Sequence, residues 1–300
     1  MTGYEVLQTF FSGLALGASY AILALGFVIV FAATKVLNFA QGAFVLIGAY
    51  LTFEFESQLS WPFPIAIVMS MLVSALIGIL IERTVIRRFS HSQAFAAVMA
   101  TVGLLFASQA VVAGFWGDSA RNLGDPWGLE TVRIFGAAIA VSGLWAIGLS
   151  SVLLGLVFGF LRFSRGGLSM RASVSDQEAA IAQGINPRRV AAVAWGLAGA
   201  SGAVAGVLLA TGSNGVNGTL AVAAFAALPA MVLGGLDSPI GALLGGLIIG
   251  MVQQFTSLLQ PVYLSGLGSE FSSVIPYLVL IVVLLIRPQG LFGTRAVQRF

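Results

Sequence analysis

The stretch Gly13-Leu-Ala-Leu-Gly-Ala-Ser-Tyr20-Ala-Ile-Leu-Ala-Leu-Gly26 decides the fold, because it is uncharged and lies inside an apolar block at residues 6 to 33. A helix that crosses a bilayer needs about 20 mainly apolar residues, and this block is long enough. Gly13 and Gly17 are four residues apart, a spacing that lets two helices approach closely in lipid. The stretch therefore predicts a tightly packed transmembrane helix.

The composition extends this prediction to the whole chain. Of the 300 residues, 58% are hydrophobic and 8% are charged, with a mean hydropathy of +1.00, whereas soluble domains carry about 25% charged residues. Ten-residue segments of alternating polarity, typical of an outer-membrane barrel, are absent. Nine apolar blocks are separated by short polar breaks: 6–33, 39–53, 63–81, 93–116, 134–161, 188–210, 219–234, 240–260 and 270–286.

We therefore expect an all-α, polytopic transmembrane bundle that forms a single domain over residues 1–300. The second and seventh blocks are short enough to be re-entrant or broken, so eight or nine spans are expected. The sequence holds 37 glycines, and we expect their four-residue pairs to mark close helix contacts. Besides Gly13/Gly17, the clearest pairs are Gly155/Gly159, Gly202/Gly206, Gly241/Gly245 and Gly246/Gly250.

The distribution of charge predicts the orientation. If the N-terminus lies outside and nine spans follow, 12 of the 14 basic residues fall on the cytoplasmic side, and only Arg121 and Arg133 fall outside. Cytoplasmic loops carry the excess of Lys and Arg, so we expect a cytoplasmic C-terminus and a cytoplasmic loop at about 162–189. The basic charge thus reflects topology and indicates no nucleic-acid partner. The chain has no cysteine, which leaves the redox compartment undetermined.

The cytoplasmic loop contains a short helical motif. Ser175 followed by Glu178 fits a capping box, Gly184 fits a left-handed helix end, and Asn186-Pro187 fits the start of the next helix. The predicted helix has about two turns and is marginal in water unless it packs on something. Its Ala179, Ala180 and Ile181 suit a partner's groove. The residues alone leave two alternatives open, a docking helix for a soluble partner or an ordinary surface helix.

Catalytic machinery is missing from the sequence. The only lysine, Lys35, is flanked by Thr34 and Val36, so no Walker A loop exists. No nucleophile has a nearby base and no cluster reaches metal-site density, so we expect neither enzymatic activity nor a cofactor. Few ionisable residues fall within the spans, whereas ion-coupled carriers usually need them. This favours a transporter energised by a separate ATPase, with a self-contained secondary transporter or channel as the alternative.

Two polar breaks are candidates for the solute path, because transporters place solute where helices are interrupted. The first contains Lys35, Asn38 and Gln41; the second follows Gly234 and contains Asp237 and Ser238. The alternative interpretation makes each break a tight cytoplasmic turn, with Lys35 and Asp237 among lipid headgroups.

The order of several motifs resembles the LivH branch of the branched-chain amino acid permeases of ABC importers. Glu178-Ala179-Ala180, followed after three residues by Gly184, is similar to the EAA loop, whose short coupling helix sits in a cleft of the ATPase. The other matching stretches, besides residues 13–26, are Leu37–Gly42, Ser164–Arg171, Gly184–Arg189, Leu233–Gly241 and Arg287–Gly293.

The resemblance implies ATPase coupling by Ser175, Glu178, Ala179, Ala180 and Gly184. It also implies partners: ABC ATPase subunits, a second homologous permease, and a periplasmic binding protein that delivers a small-molecule solute at the bacterial inner membrane. Gln41 and Ala43 depart from the family, which often has His and an acidic residue there. Related permeases also carry urea and short amides, so the sequence leaves the solute open.

Overall fold

The structure is a computed structural model that describes residues 3–89, 93–117, 119–123, 126–211, 215–263, 266, 268 and 271–293. Arg295 and Arg299, on which the predicted side of the C-terminus partly depends, lie outside these residues. The α-helices of the described chain are α1 Gly3–Thr34, α2 Gln41–Phe53, α3 Phe63–Thr84, α4 Ala94–Trp116, α5 Val141–Phe163, α6 Arg165–Ser175, α7 Gln177–Ala182, α8 Pro187–Ala210, α9 Leu220–Ala223, α10 Leu228–Gly234, α11 Pro239–Tyr263 and α12 Phe271–Ile286.

The predicted polytopic helical bundle is confirmed. Six of the described helices are long and apolar enough to cross a membrane, namely α1, α3 with the 3₁₀ turn Ile86–Arg88, α4, α5, α8 and α11. The other three predicted blocks form shorter helices. They are α2, which continues into a π-helical turn at Glu54–Gln58, the interrupted segment Leu220–Gly234, and α12. The expected eight or nine spans are thus six full-length helices and three shorter segments.

Helix α1 lies at the centre of the bundle and is buried from Ala18 to Val30. It packs antiparallel to α11, because Gly17 approaches Leu247 and Gly250 while Ala21 approaches Gly246. A Cβ atom at either α11 glycine would overlap the α1 backbone. The four-residue spacing in these helices therefore serves close backbone packing, as expected.

The pair Gly155/Gly159 does not behave in this way, and its predicted role within the chain is wrong. Neither glycine has another part of the described chain within 4 Å of where a Cβ would lie. Both lie on α5, where Val152 and Leu156 are also exposed. A glycine pair in an apolar helix marks a close contact only where a neighbouring helix is present.

The predicted span at 134–161 begins seven residues too early, since α5 starts at Val141. Residues Thr131–Ile134 and Ala137–Ala140 form an antiparallel hairpin, β1 and β2, with Ile134 opposite Ala137. Its two-residue turn, Phe135-Gly136, has φ values of 50° and 85°, and tight hairpin turns of this type need positive φ at both central residues. The apolar strand β2 continues into an apolar helix, so hydropathy alone merged them.

The bundle has two distinguishable ends. We call the end with the hairpin β1–β2 the hairpin end and the end with α6 and α7 the loop end; α5 connects them. Helix α8 starts at the loop end and runs parallel to α2, because Phe44 packs on Gly202 and Val45 on Gly206. Helix α2 therefore ends at the hairpin end.

Candidate translocation site and coupling loop

The chain is interrupted between α1 and α2. Lys35, with φ of 57°, ends α1 in the left-handed region, and residues 36–38 have no regular secondary structure before a turn leads into α2. Val36, Asn38 and Ala40 are buried although they lie outside regular helix. Such backbone is tolerated at membrane depth where protein surrounds it.

Gln41 places this interruption midway through the bundle. Its Nε2 donates to the carbonyl oxygen of Ala198 at 3.2 Å, and Ala198 lies at the middle of the 24-residue helix α8. Gly26 of α1 faces the same amide, and a Cβ there would overlap it. Ser201 Oγ, which donates to Ala198 O at 3.0 Å, completes the cluster. Helix α2 thus begins in the bundle interior, about 20 Å from its other end.

Two side-chain amides in this break have unsatisfied hydrogen-bonding atoms. Asn38 and Gln41 are both 0% exposed. Among the described residues, Asn38 Oδ1, Asn38 Nδ2 and Gln41 Oε1 have no hydrogen-bond partner. A buried polar group without a partner costs roughly 1–3 kcal/mol. Both amides therefore have spare hydrogen-bonding capacity at the centre of the membrane domain.

A second interruption lies opposite the first. The segment 220–234 consists of α9, a 3₁₀ turn at Ala224–Ala227, and α10. Gly42 approaches the carbonyl oxygen of Ala221 closely enough to exclude a Cβ, and the rings of Phe39 and Phe225 meet edge to face at 5.7 Å. Two broken segments thus meet in mid-bundle.

Helix α4 holds the first break from another side. Thr101 Oγ1 accepts from the backbone N–H of Phe39 at 3.1 Å and donates to Val98 O at 2.7 Å. Sequence reasoning missed Thr101, Ser201 and Phe225. A single threonine or serine inside an apolar block is common, and the break around Phe225 contains no polar residue that would mark it.

The structure places Asp237 and Ser238 elsewhere, at the loop end. Asp237 and Lys35 line one cavity of about 190 Å³ with Gln289. Ser238 Oγ accepts from the N–H of Gly241 at 3.0 Å, so Ser238 caps the first turn of α11. The two predicted breaks therefore differ in position: Asn38 and Gln41 lie in mid-bundle, whereas Asp237 lies with Lys35 at the loop end and Ser238 caps α11.

The loop predicted at about 162–189 forms two short helices, α6 and α7, and the predicted Ser175 cap is wrong. Ser175 is the last residue of α6, and its hydroxyl donates back to Arg171 O at 3.0 Å. Asp176 has the extended backbone of an N-cap, and its Oδ1 accepts from the N–H of Ala179 at 3.0 Å. Aspartate is as good a cap as serine, and α6 continues one residue further than the pattern indicated. Glu178 is exposed in the first turn of α7.

The predicted end of this helix is confirmed. Gly184 has φ of 81°, its N–H donates to Ile181 O at 2.9 Å, and the N–H of Ile185 donates to Ala180 O at 3.0 Å. These two bonds form a Schellman motif. Ala180 is buried, whereas Ala179 and Ile181 are exposed, so α7 packs one side on its own chain and leaves the other side free.

A salt bridge at the loop end connects α3 with α8. Arg87 binds both carboxylate oxygens of Glu82, at 3.2 and 2.7 Å, and its Nη2 also donates to the carbonyl oxygen of Arg188 at 3.4 Å. The Glu82 side chain is only 3% exposed. The clamp therefore ties the end of α3 to the first turn of α8, which follows α7.

We expect Arg87→Ala to lower the melting temperature of the purified protein by several degrees, because it leaves the buried Glu82 carboxylate unpaired. The double variant Glu82→Gln/Arg87→Ala should recover most of the loss, since a neutral amide is cheaper to bury. Arg88→Ala, one residue away, is the matched control. Equal destabilisation by the single and double variants would show that the clamp lacks the assigned role.

Comparison with known proteins decides the family. The chain matches the family described as the branched-chain amino acid transport system/permease component over residues 9–284. The chain belongs to this permease family. Its relatives include the high-affinity branched-chain amino acid transport system permease protein LivH of Salmonella typhimurium, which is 31% identical over 98% of this chain and 97% of the relative.

More distant permeases match over similar lengths. BraD of Pseudomonas aeruginosa is 29% identical over 99% of this chain and 98% of its own. A probable LivH protein of Methanocaldococcus jannaschii is 27% identical over 91% and 88%. A solved structure, PsaBC from Streptococcus pneumoniae in complex with Fab, covers 95% of this chain and 93% of its own at a TM-score of 0.48 and 14% identity. The six long apolar helices and the permease relatives together identify this permease as a multi-pass membrane protein.

Proposed function

We propose that this permease is the membrane subunit of an ABC importer for branched-chain or related amino acids. The family match over residues 9–284 carries the proposal, since relatives bearing the name of branched-chain amino acid permeases align with nearly the whole chain. The break at Asn38 and Gln41 supports it, because a transporter needs polar groups near its midplane.

The ATPase is a separate partner in this proposal. Helix α7, with Ala179 and Ile181 exposed, is the coupling helix that enters a cleft of the ATPase. Asp176 caps its start, Glu178 adds negative charge to its first turn, and Gly184 fixes its end. A second homologous permease and a periplasmic binding protein complete the importer.

The route from the ATPase to the solute path runs through contacts at the loop end. Gln177 of α7 lines a cavity of about 460 Å³ with Lys35, Val36, Glu82 and Arg188. This cavity joins α7, the Glu82–Arg87 clamp and the start of the first break. A shift of α7 would therefore reach the segment that leads to Asn38 and Gln41, which we assign to the solute path or its gate. We also assign Asp237, which lines a loop-end cavity with Lys35, to the mouth of this path.

The loop end is cytoplasmic in this proposal, because Arg83, Arg87, Arg162, Arg171 and Arg188 lie there. The chain has no cysteine, so single cysteines introduced at Phe135 and at Ser169 test the side directly. We expect a membrane-impermeant maleimide to label Phe135→Cys in intact spheroplasts and Ser169→Cys only after lysis. The reverse pattern would invert the orientation.

Reconstitution tests the proposed function. The permease should copurify with an ABC ATPase, and proteoliposomes with the complete complex and binding protein should take up labelled leucine only with ATP. Unlabelled valine and isoleucine should compete, whereas urea should not. Uptake driven by an ion gradient, with the permease alone, would favour a secondary transporter and overturn the proposal.

A further inference from the structure

A pocket at the hairpin end places opposite charges between aromatic rings. It has a volume of about 300 Å³ and is lined by Phe53, Glu54, Gln58, Phe115, Trp116 and Arg121. Glu54 is the first residue of the π-helical turn that follows α2, and such turns often occur at functional sites. Gln41 lies at the other end of the same helix. The pocket is thus joined to the mid-bundle break by one rigid element.

The two charged groups are held apart. Glu54 Oε2 accepts from Trp116 Nε1 at 2.8 Å, and Glu54 Oε1 has no hydrogen bond within the described chain. Arg121 donates from Nε, at 3.1 Å, and from Nη2 to the carbonyl oxygen of Trp116. Its guanidinium also lies 5.5 Å from the centre of the Phe53 ring. Trp116 therefore fixes both groups, and they make no ion pair with each other.

We infer that this pocket binds the zwitterionic head of an α-amino acid, with Arg121 taking the carboxylate and Glu54 the ammonium group. Half-buried charges of opposite sign that are not paired with each other complement a ligand that carries both signs. The Phe53, Phe115 and Trp116 rings offer apolar surface to an aliphatic side chain. The volume suits a small amino acid, and guanidinium geometry matches a carboxylate.

The pocket is also connected to the second break. The backbone of Arg121 pairs with that of Val216 through two hydrogen bonds, at 3.0 and 2.8 Å. Val216 is fully buried and lies just before α9. Solute at Arg121 would thus be linked through this backbone pairing to the segment that precedes α9, while Glu54 directly follows α2. In the proposed orientation the pocket lies on the outer face, where the binding protein releases solute.

This inference rests on the proposed function, and its test uses the assembled transporter in nanodiscs without binding protein. Ligand-detected NMR compares leucine with leucinamide, which lacks the carboxylate, and with 4-methylpentanoate, which lacks the ammonium group. We expect wild type to bind leucine at least tenfold more tightly than either analogue. Arg121→Gln should remove the preference over leucinamide, and Glu54→Gln the preference over 4-methylpentanoate.

Glu56→Gln and Arg133→Gln are matched controls, since both residues lie at the same end and neither lines the pocket. Loss of binding in the controls as well, or unchanged preferences in the pocket variants, would overturn the inference. If these preferences are unchanged but ATP-dependent uptake by the pocket variants needs a higher half-saturating concentration of binding protein, the pocket serves docking and the inference is overturned. ATP-dependent uptake by the wild type is measured separately, so failure here leaves the proposed function testable on its own.

Discussion

Replacing Gly184 with valine is expected to reduce ATP-dependent uptake about tenfold while the membrane bundle stays folded. Gly184 has φ of 81°, and an L-residue in the left-handed region costs roughly 1–2 kcal/mol, which is a factor of about 5–30 in an equilibrium. A Cβ there meets open space, so the effect comes from the backbone alone. Helix α7 has only six residues, and loss of its Schellman end would change the angle at which, in the proposed importer, it meets the ATPase.

The variant Gly184→Asn distinguishes an effect of backbone conformation from an effect of side-chain size. Asparagine tolerates the left-handed conformation, so this variant should keep most of the uptake although its side chain is polar and of similar size to valine. The measurement is the ratio of leucine transported to ATP hydrolysed in proteoliposomes, with ATPase retention checked by copurification. A normal ratio in a well-expressed Gly184→Val protein would refute the coupling role of this helix end.

Local chemistry explains what the sequence predicted correctly. The end of α7 depends on one glycine and its neighbours, so Gly184 and the Asn186-Pro187 start of α8 could be predicted. Asn186 Oδ1 indeed accepts from the N–H of Arg188 at 3.0 Å. The start of α7 was harder, because Ser175 and Asp176 both suit a cap, and the choice depends on how far α6 extends.

Features that depend on long-range contacts could not be predicted from the sequence. Asn38 and Gln41 stood out as polar residues in apolar surroundings, but their position depends on the pairing of α2 with α8. The opposite break at Ala224–Ala227 contains no polar residue, so composition gave it no signal. The pocket at the hairpin end combines Glu54 with Arg121, which are 67 positions apart in the sequence, and both bind Trp116 at the end of α4.

Replacing Gln41 with leucine is expected to lower uptake by at least tenfold without lowering the stability of the protein. Leucine has a similar size, and it removes the unpartnered Oε1 atom, whose burial costs roughly 1–3 kcal/mol. The hydrogen bond lost at Ala198 O is shared with Ser201 Oγ, so that carbonyl keeps a partner. Transport should fall because solute in the path would lose a polar group at a point where α1, α2 and α8 meet.

Gly26→Ala tests the same site without changing a polar group. The added Cβ would overlap the Gln41 amide and lie 2.8 Å from Ser201 Oγ, so the side chains of this cluster must shift. Gly103→Ala is the matched control, because a Cβ there meets open space on α4. Melting temperature and ATP-dependent uptake are measured together for all three variants.

If Gln41 only packs the bundle, Gln41→Leu will retain wild-type uptake, and Gly26→Ala will lose uptake only in proportion to its loss of stability. If Gln41 belongs to the path, both variants will lose uptake in fully assembled complexes, and Gly103→Ala will lose none, because the amide must then stay in place for solute to pass.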